Sequence, residues 1–140
     1  MKDIIMNCIS NLLNIKAAKD MKREIAQWLK EINNTTLPND IVALNFGIFE
    51  TEEGYGLYMI GATEYCEDDE DWACEPVAYK SDYLILNDPE LKTMNWEGVL
   101  EKIVKILHEA LFGYVSDGQS PFYGKIITTG FDDGELVRLF

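Results

Sequence analysis

Between Asn34 and Tyr79 the chain has no lysine and no arginine, and it places eleven of its 25 acidic side chains there. A stretch so short of neutralising charge repels nucleic acid and anionic membrane and attracts basic partners, so binding is a better first expectation than chemistry. Histidine is almost missing: His108 stands alone on a predicted helix, with no Gly-x-Ser-x-Gly elbow or cysteine motif to supply a nucleophile. The three cysteines, Cys8, Cys66 and Cys74, are an odd number in a chain large enough to fold without staples. That fits a reducing compartment better than a disulfide framework, so a cytoplasmic location is expected. Nowhere do eighteen apolar residues run together, and Asp3, Asn7 and Asn11 interrupt the opening segment, so neither a membrane span nor a signal-peptide core is expected.

Metal and nucleotide signatures are also lacking. An EF-hand loop starting at Asp69 would put Cys74 where glycine is required and Lys80 where glutamate is required. Cys66 and Cys74 lie eight apart, a spacing that does not pair zinc ligands. No Lys-Ser or Lys-Thr directly follows Gly54, Gly56 or Gly61, so these glycines are not a phosphate cradle. The carboxylate pairs Glu52-Glu53 and Asp132-Asp133 sit in turn sequences, where neighbouring side chains do not converge on one bond. No catalytic set, metal or cofactor is therefore expected.

What is present is a folded chain with one acidic region. The 140 residues suit a single domain spanning 1–140, and 47% hydrophobic with 11% aromatic content is far from a disordered acidic tail. Five acids are consecutive, Glu67-Asp68-Asp69-Glu70-Asp71, within a net charge of -13.

Helical spacing is clear at the flanks. Ile4, Ile5, Cys8, Leu12 and Leu13 recur at three and four residues, and Met21, Ile25, Trp28, Leu29 and Ile32 resume the pattern, predicting two helices or one bent helix. Asn33 to Asp40, with Pro38, ends it. Ile41 to Phe49 reads as a strand with Val42, Leu44, Phe46 and Ile48 on the core face, and Gly54 to Ala62 as its hairpin partner. A short strand is expected at Tyr83 to Leu86. Asn95 should cap a helix with the stripe Trp96, Val99, Leu100, Ile103, Leu107, Ala110 and Leu111, ending near Gly113. Lys125 to Phe131 and Glu135 to Phe140 then form strands turned by Asp132-Asp133-Gly134.

These elements predict an α+β fold: a mostly antiparallel sheet of about five strands, packed by the N-terminal helices and one later helix. With so few helices, the other sheet face is wet or used. Tyr55, Tyr58, Tyr65, Tyr79 and Tyr83 lie near or on strands, and either pack along the edge with hydroxyls in water or form an aromatic contact surface.

Five adjacent carboxylates cost little in water, where two unit charges at about 4 Å interact by about 1 kcal/mol. A solvated loop and a steering surface are both open on that ground. Trp72 follows the acids directly, as a hydrophobic anchor beside a charged rim would, and as an ordinary core tryptophan would too. The candidate partner-binding set is Glu67, Asp68, Asp69, Glu70 and Asp71 for steering, with Trp72 and Tyr65 as anchors.

Three segments, Asn45-Phe46-Gly47-Ile48-Phe49-Glu50-Thr51-Glu52, Asp69-Glu70-Asp71-Trp72-Ala73-Cys74 and Gly130-Phe131-Asp132-Asp133-Gly134-Glu135, resemble a group of small bacterial polymorphic-toxin immunity proteins. The resemblance covers the middle and C-terminal thirds. It implies a protein that masks a toxin, commonly a basic nuclease, by laying carboxylates over its substrate-binding surface. Two other readings stay open: a small-ligand protein or enzyme using the uncovered sheet face, and a module that self-associates through it.

Overall fold

The computed structural model describes residues 20–74 and 77–140. Its centre is β1 (Ala43–Thr51), where Leu44, Phe46 and Ile48 alternate with Asn45 and Gly47 at the period of a strand. A tight turn at Glu52-Glu53 leads into β2 (Gly54–Ala62), antiparallel to β1, with Gly54 at φ 156°. Two short strands share the outer edge of β2: β3 (Tyr79–Lys80) against Ile60 and Gly61, and β4 (Leu84–Leu86) against Tyr55 to Leu57. On its other side β1 takes β5 (Ile126–Phe131) in parallel, and β5 pairs antiparallel with β6 (Val137–Arg138). The result is the expected α+β fold with six strands in a mostly antiparallel sheet. Its one parallel pair follows from the helical connection that precedes β5, since parallel neighbours need a crossover.

The first described helix, α1, covers 20–33, and Met21, Ile25, Trp28, Leu29 and Ile32 are buried along it, matching the spacing read from the sequence. The helix expected over Ile4 to Leu13, with Cys8, lies outside the described residues. The second helix, α2 (Trp96–Val115), starts where Asn95 Oδ1 accepts from the Gly98 N–H at 2.8 Å, and it runs two residues past the expected stop. Val99, Ile103, Ile106, Leu107 and Leu111 are its buried positions. Trp96 departs from the expected stripe: at 58% exposure it sits in the first turn, edge-on to Phe131 instead of in the core. Val42 departs as well, because it precedes the strand, whereas Ile41 is buried against Gly61.

Both helices contribute to one hydrophobic cluster on a single face of the sheet. Phe46 is fully buried at its centre, with the Trp28 ring edge-on at 5.8 Å and the Phe122 ring stacked at 6.4 Å. Lys102 of α2 reaches the buried Asp88 at 2.8 Å and Glu90 at 3.2 Å, tying the helix to a 3-10 turn over Pro89–Thr93. The opposite face of β1, β2 and β5 has no α-helix over it among the described residues, and the site lies there.

Candidate functional site

Register decides what that face carries. Gly47 of β1 stands opposite Tyr58 of β2, and Phe49 opposite Gly56. A Cβ on Gly47 would come within 2.2 Å of the Tyr58 ring, and one on Gly56 within 2.3 Å of the Phe49 ring. Each ring therefore lies over the bare backbone of the neighbouring strand, a close approach that only glycine permits. Gly47→Ala is expected to force Tyr58 off the sheet and lower stability by about 1–3 kcal/mol, as overpacking does, measured by urea denaturation.

Tyr83, more than half exposed, completes the aromatic surface at 5.0 Å from Phe49 and 5.9 Å from Tyr58. Lys80 Nζ lies over two of these rings, 5.2 Å from the Tyr58 centroid and 5.3 Å from that of Tyr83. The Tyr58 hydroxyl donates to Asp132 Oδ1 from the β5–β6 turn. Together with Glu70 these groups line a cleft of about 500 Å³. Its floor includes Asn45, only 5% exposed, whose Oδ1 accepts from Thr128.

Burial, then the bond to Asp132 and its negative charge, hold the Tyr58 phenol protonated well above its ordinary value of 10.0. Lys102 moves the same way: burial opposes its charge, but its hydrogen bonds to Asp88 and Glu90 outweigh that and raise its pKa above 10.5. Both groups bind protons more tightly folded than unfolded. Their stabilisation is complete below about pH 10 and is lost as pH rises through the raised folded values. Urea midpoints should therefore fall above pH 10, with a shallower fall in Tyr58→Phe.

The acid run forms the rim beside this cleft. Asp69 caps a 3-10 turn over Glu70–Ala73, its Oδ1 accepting from the Asp71 N–H at 3.0 Å. Glu70 Oε1 accepts from the Leu136 N–H at 2.9 Å, fastening the turn to the segment entering β6. Trp72 packs edge-on against Tyr65 at 5.2 Å, and the Arg138 guanidinium lies 5.7 Å from the Tyr65 ring. Tyr65 and Trp72, read as anchors for a partner, are thus half-buried and pin the loop to its own sheet. Glu67, Asp68, Asp69, Glu70 and Asp71 are exposed, and no ion pair among the described residues engages them. The loop's fastening at Leu136 puts it beside the turn that holds the exposed Asp132, Asp133 and Glu135.

The sequence places Tyr58 and Tyr83 among the tyrosines of a possible aromatic contact surface and Asp132 in a turn pair, but it does not bring them together with Phe49 in one site. One signal was there: Gly47 and Gly56 sit inside strands, where glycine marks close approach. His108 is elsewhere, on α2, stacked on Phe140 at 4.7 Å, and does not line the cleft. Cys66 and Cys74 are free, exposed thiols, and no cluster of three metal-ligating side chains is found among the described residues. No described helix is long and apolar enough to cross a membrane. Comparisons of the chain with protein-family models, with curated proteins and with solved structures find no match.

Proposed function

We propose that this chain is an acidic protein-binding module whose partner is a basic protein surface, and that the partner is a toxin domain which it masks as an immunity protein. The observation that carries the reading is the ordered placement of the acid run: five exposed carboxylates, fixed by the Asp69 cap and the Glu70 to Leu136 bond. A floppy acidic loop would also attract cations, but it would lose conformational entropy on docking that a fastened turn has already given up. Carboxylates steer the encounter, whereas aromatic contacts and shape set the dissociation rate.

Co-expression with the C-terminal domain of the polypeptide encoded by the adjacent gene tests the toxin assignment. Rescue of growth, and binding that weakens steeply with salt, is the expected result. A neighbouring product that is neither toxic nor bound would overturn it. The cleft itself favours a second reading, a small-ligand protein using the same face, since a concave site of about 500 Å³ falls in the usual range for ligands. Salt-independent binding of a neutral small molecule, with no affinity for basic proteins, would select that reading.

A further inference from the structure

We propose that the cleft seats one arginine side chain of the basic partner, its guanidinium between the Glu70 and Asp132 carboxylates and against the Phe49, Tyr58 and Tyr83 rings. This rests on the partner-binding reading and names what the partner inserts. Each carboxylate has one oxygen committed internally, Glu70 Oε1 to the Leu136 N–H and Asp132 Oδ1 to the Tyr58 hydroxyl. Neither second oxygen has a hydrogen-bond partner among the described residues. The internal bonds fix the direction of both groups, and both line the same cleft although they are far apart in the chain. A planar guanidinium has five donors for such acceptors, and it stacks on aromatic faces more readily than a strongly hydrated ammonium does.

The aromatic wall already holds a cation. Lys80 lies over Tyr58 and Tyr83, showing that these ring faces accept positive charge. Lys80 itself is exposed, on a two-residue edge strand at the rim, and its ammonium occupies the ring faces that the guanidinium would use. It therefore competes with the incoming arginine. Removing the carboxylates and removing Lys80 should have opposite effects on affinity.

Three nine-residue peptides test this: all lysine, the same with a central arginine, and the same with a central citrulline. Affinities come from calorimetry, and the position of binding from amide shifts of Gly47 and Gly130. The arginine peptide should bind about tenfold tighter than the other two, from charge-assisted and cation–π contacts. Glu70→Gln and Asp132→Asn should each abolish that preference. Tyr58→Phe, which changes no charge but releases Asp132, should remove most of it, and Lys80→Met should increase it. Circular dichroism and thermal melts check that each variant is folded, and the four independent substitutions keep the test decisive if one is not. If all three peptides bind equally and charge reversal in the acid run weakens them equally, the arginine seat is wrong and the acidic module stands. No binding by any peptide would overturn both.

Discussion

Reversing Glu67, Asp68 and Asp71 to lysine should slow association with a cationic partner by about 10- to 1,000-fold at low ionic strength, the range over which charge steering acts. These three are chosen because they are exposed and their side chains make none of the loop's fastening bonds. Asp69 and Glu70 are left in place, since one caps the 3-10 turn and the other accepts from Leu136. Replacing either would confound lost charge with lost order. Stopped-flow association against the arginine-containing peptide, at several salt concentrations, reads the effect. The difference from wild type should shrink as salt rises, because the Debye length falls from about 30 Å at 0.01 M to about 8 Å at 0.15 M. The dissociation rate should change less than the association rate. Equal association rates at low salt would show that the run is only a solvated surface.

Phe46→Ala should be the most damaging single change to the fold, costing about 3–5 kcal/mol. Phe46 is fully buried on β1, between Trp28 of α1 and Phe122 of the segment before β5. Its removal opens a cavity at the junction of three elements, where neighbours already packed on each other cannot collapse into the space. A domain of this size has only about 5–15 kcal/mol to lose, so the urea midpoint should drop sharply. Phe112→Ala is the control. That ring is 65% exposed on α2, so its loss should change stability by less than about 0.5 kcal/mol. Comparable losses in the two variants would mean that the burial assigned to Phe46 is wrong.

Much of the fold was legible because local rules governed it. The Asn95 cap and the spacing of Val99, Ile103, Leu107 and Leu111 marked α2, and the Asp132-Asp133-Gly134 turn marked the β5–β6 hairpin. Failures came where burial depended on neighbours distant in sequence. Trp96 is a plausible stripe residue by spacing alone, but its turn brings it to the rim beside Phe131. Ile106 was missed because α2 is buried over a wider arc than the narrow stripe drawn through it.

The site was legible in half. Its charge was plain, since consecutive acids are a property of the chain itself. Its shape was not, because the bonds that build it join residues 74 apart, Tyr58 to Asp132, and 66 apart, Glu70 to Leu136. Composition and periodicity thus determined an α+β chain with helical flanks, a central hairpin and a concentrated negative charge. Only the tertiary structure decided that Tyr58 lies over Gly47, that Asp132 meets its hydroxyl, and that the acid run borders an aromatic cleft. The reason is that a local pattern reports which face of an element is apolar, whereas strand register and order decide which faces of distant segments meet.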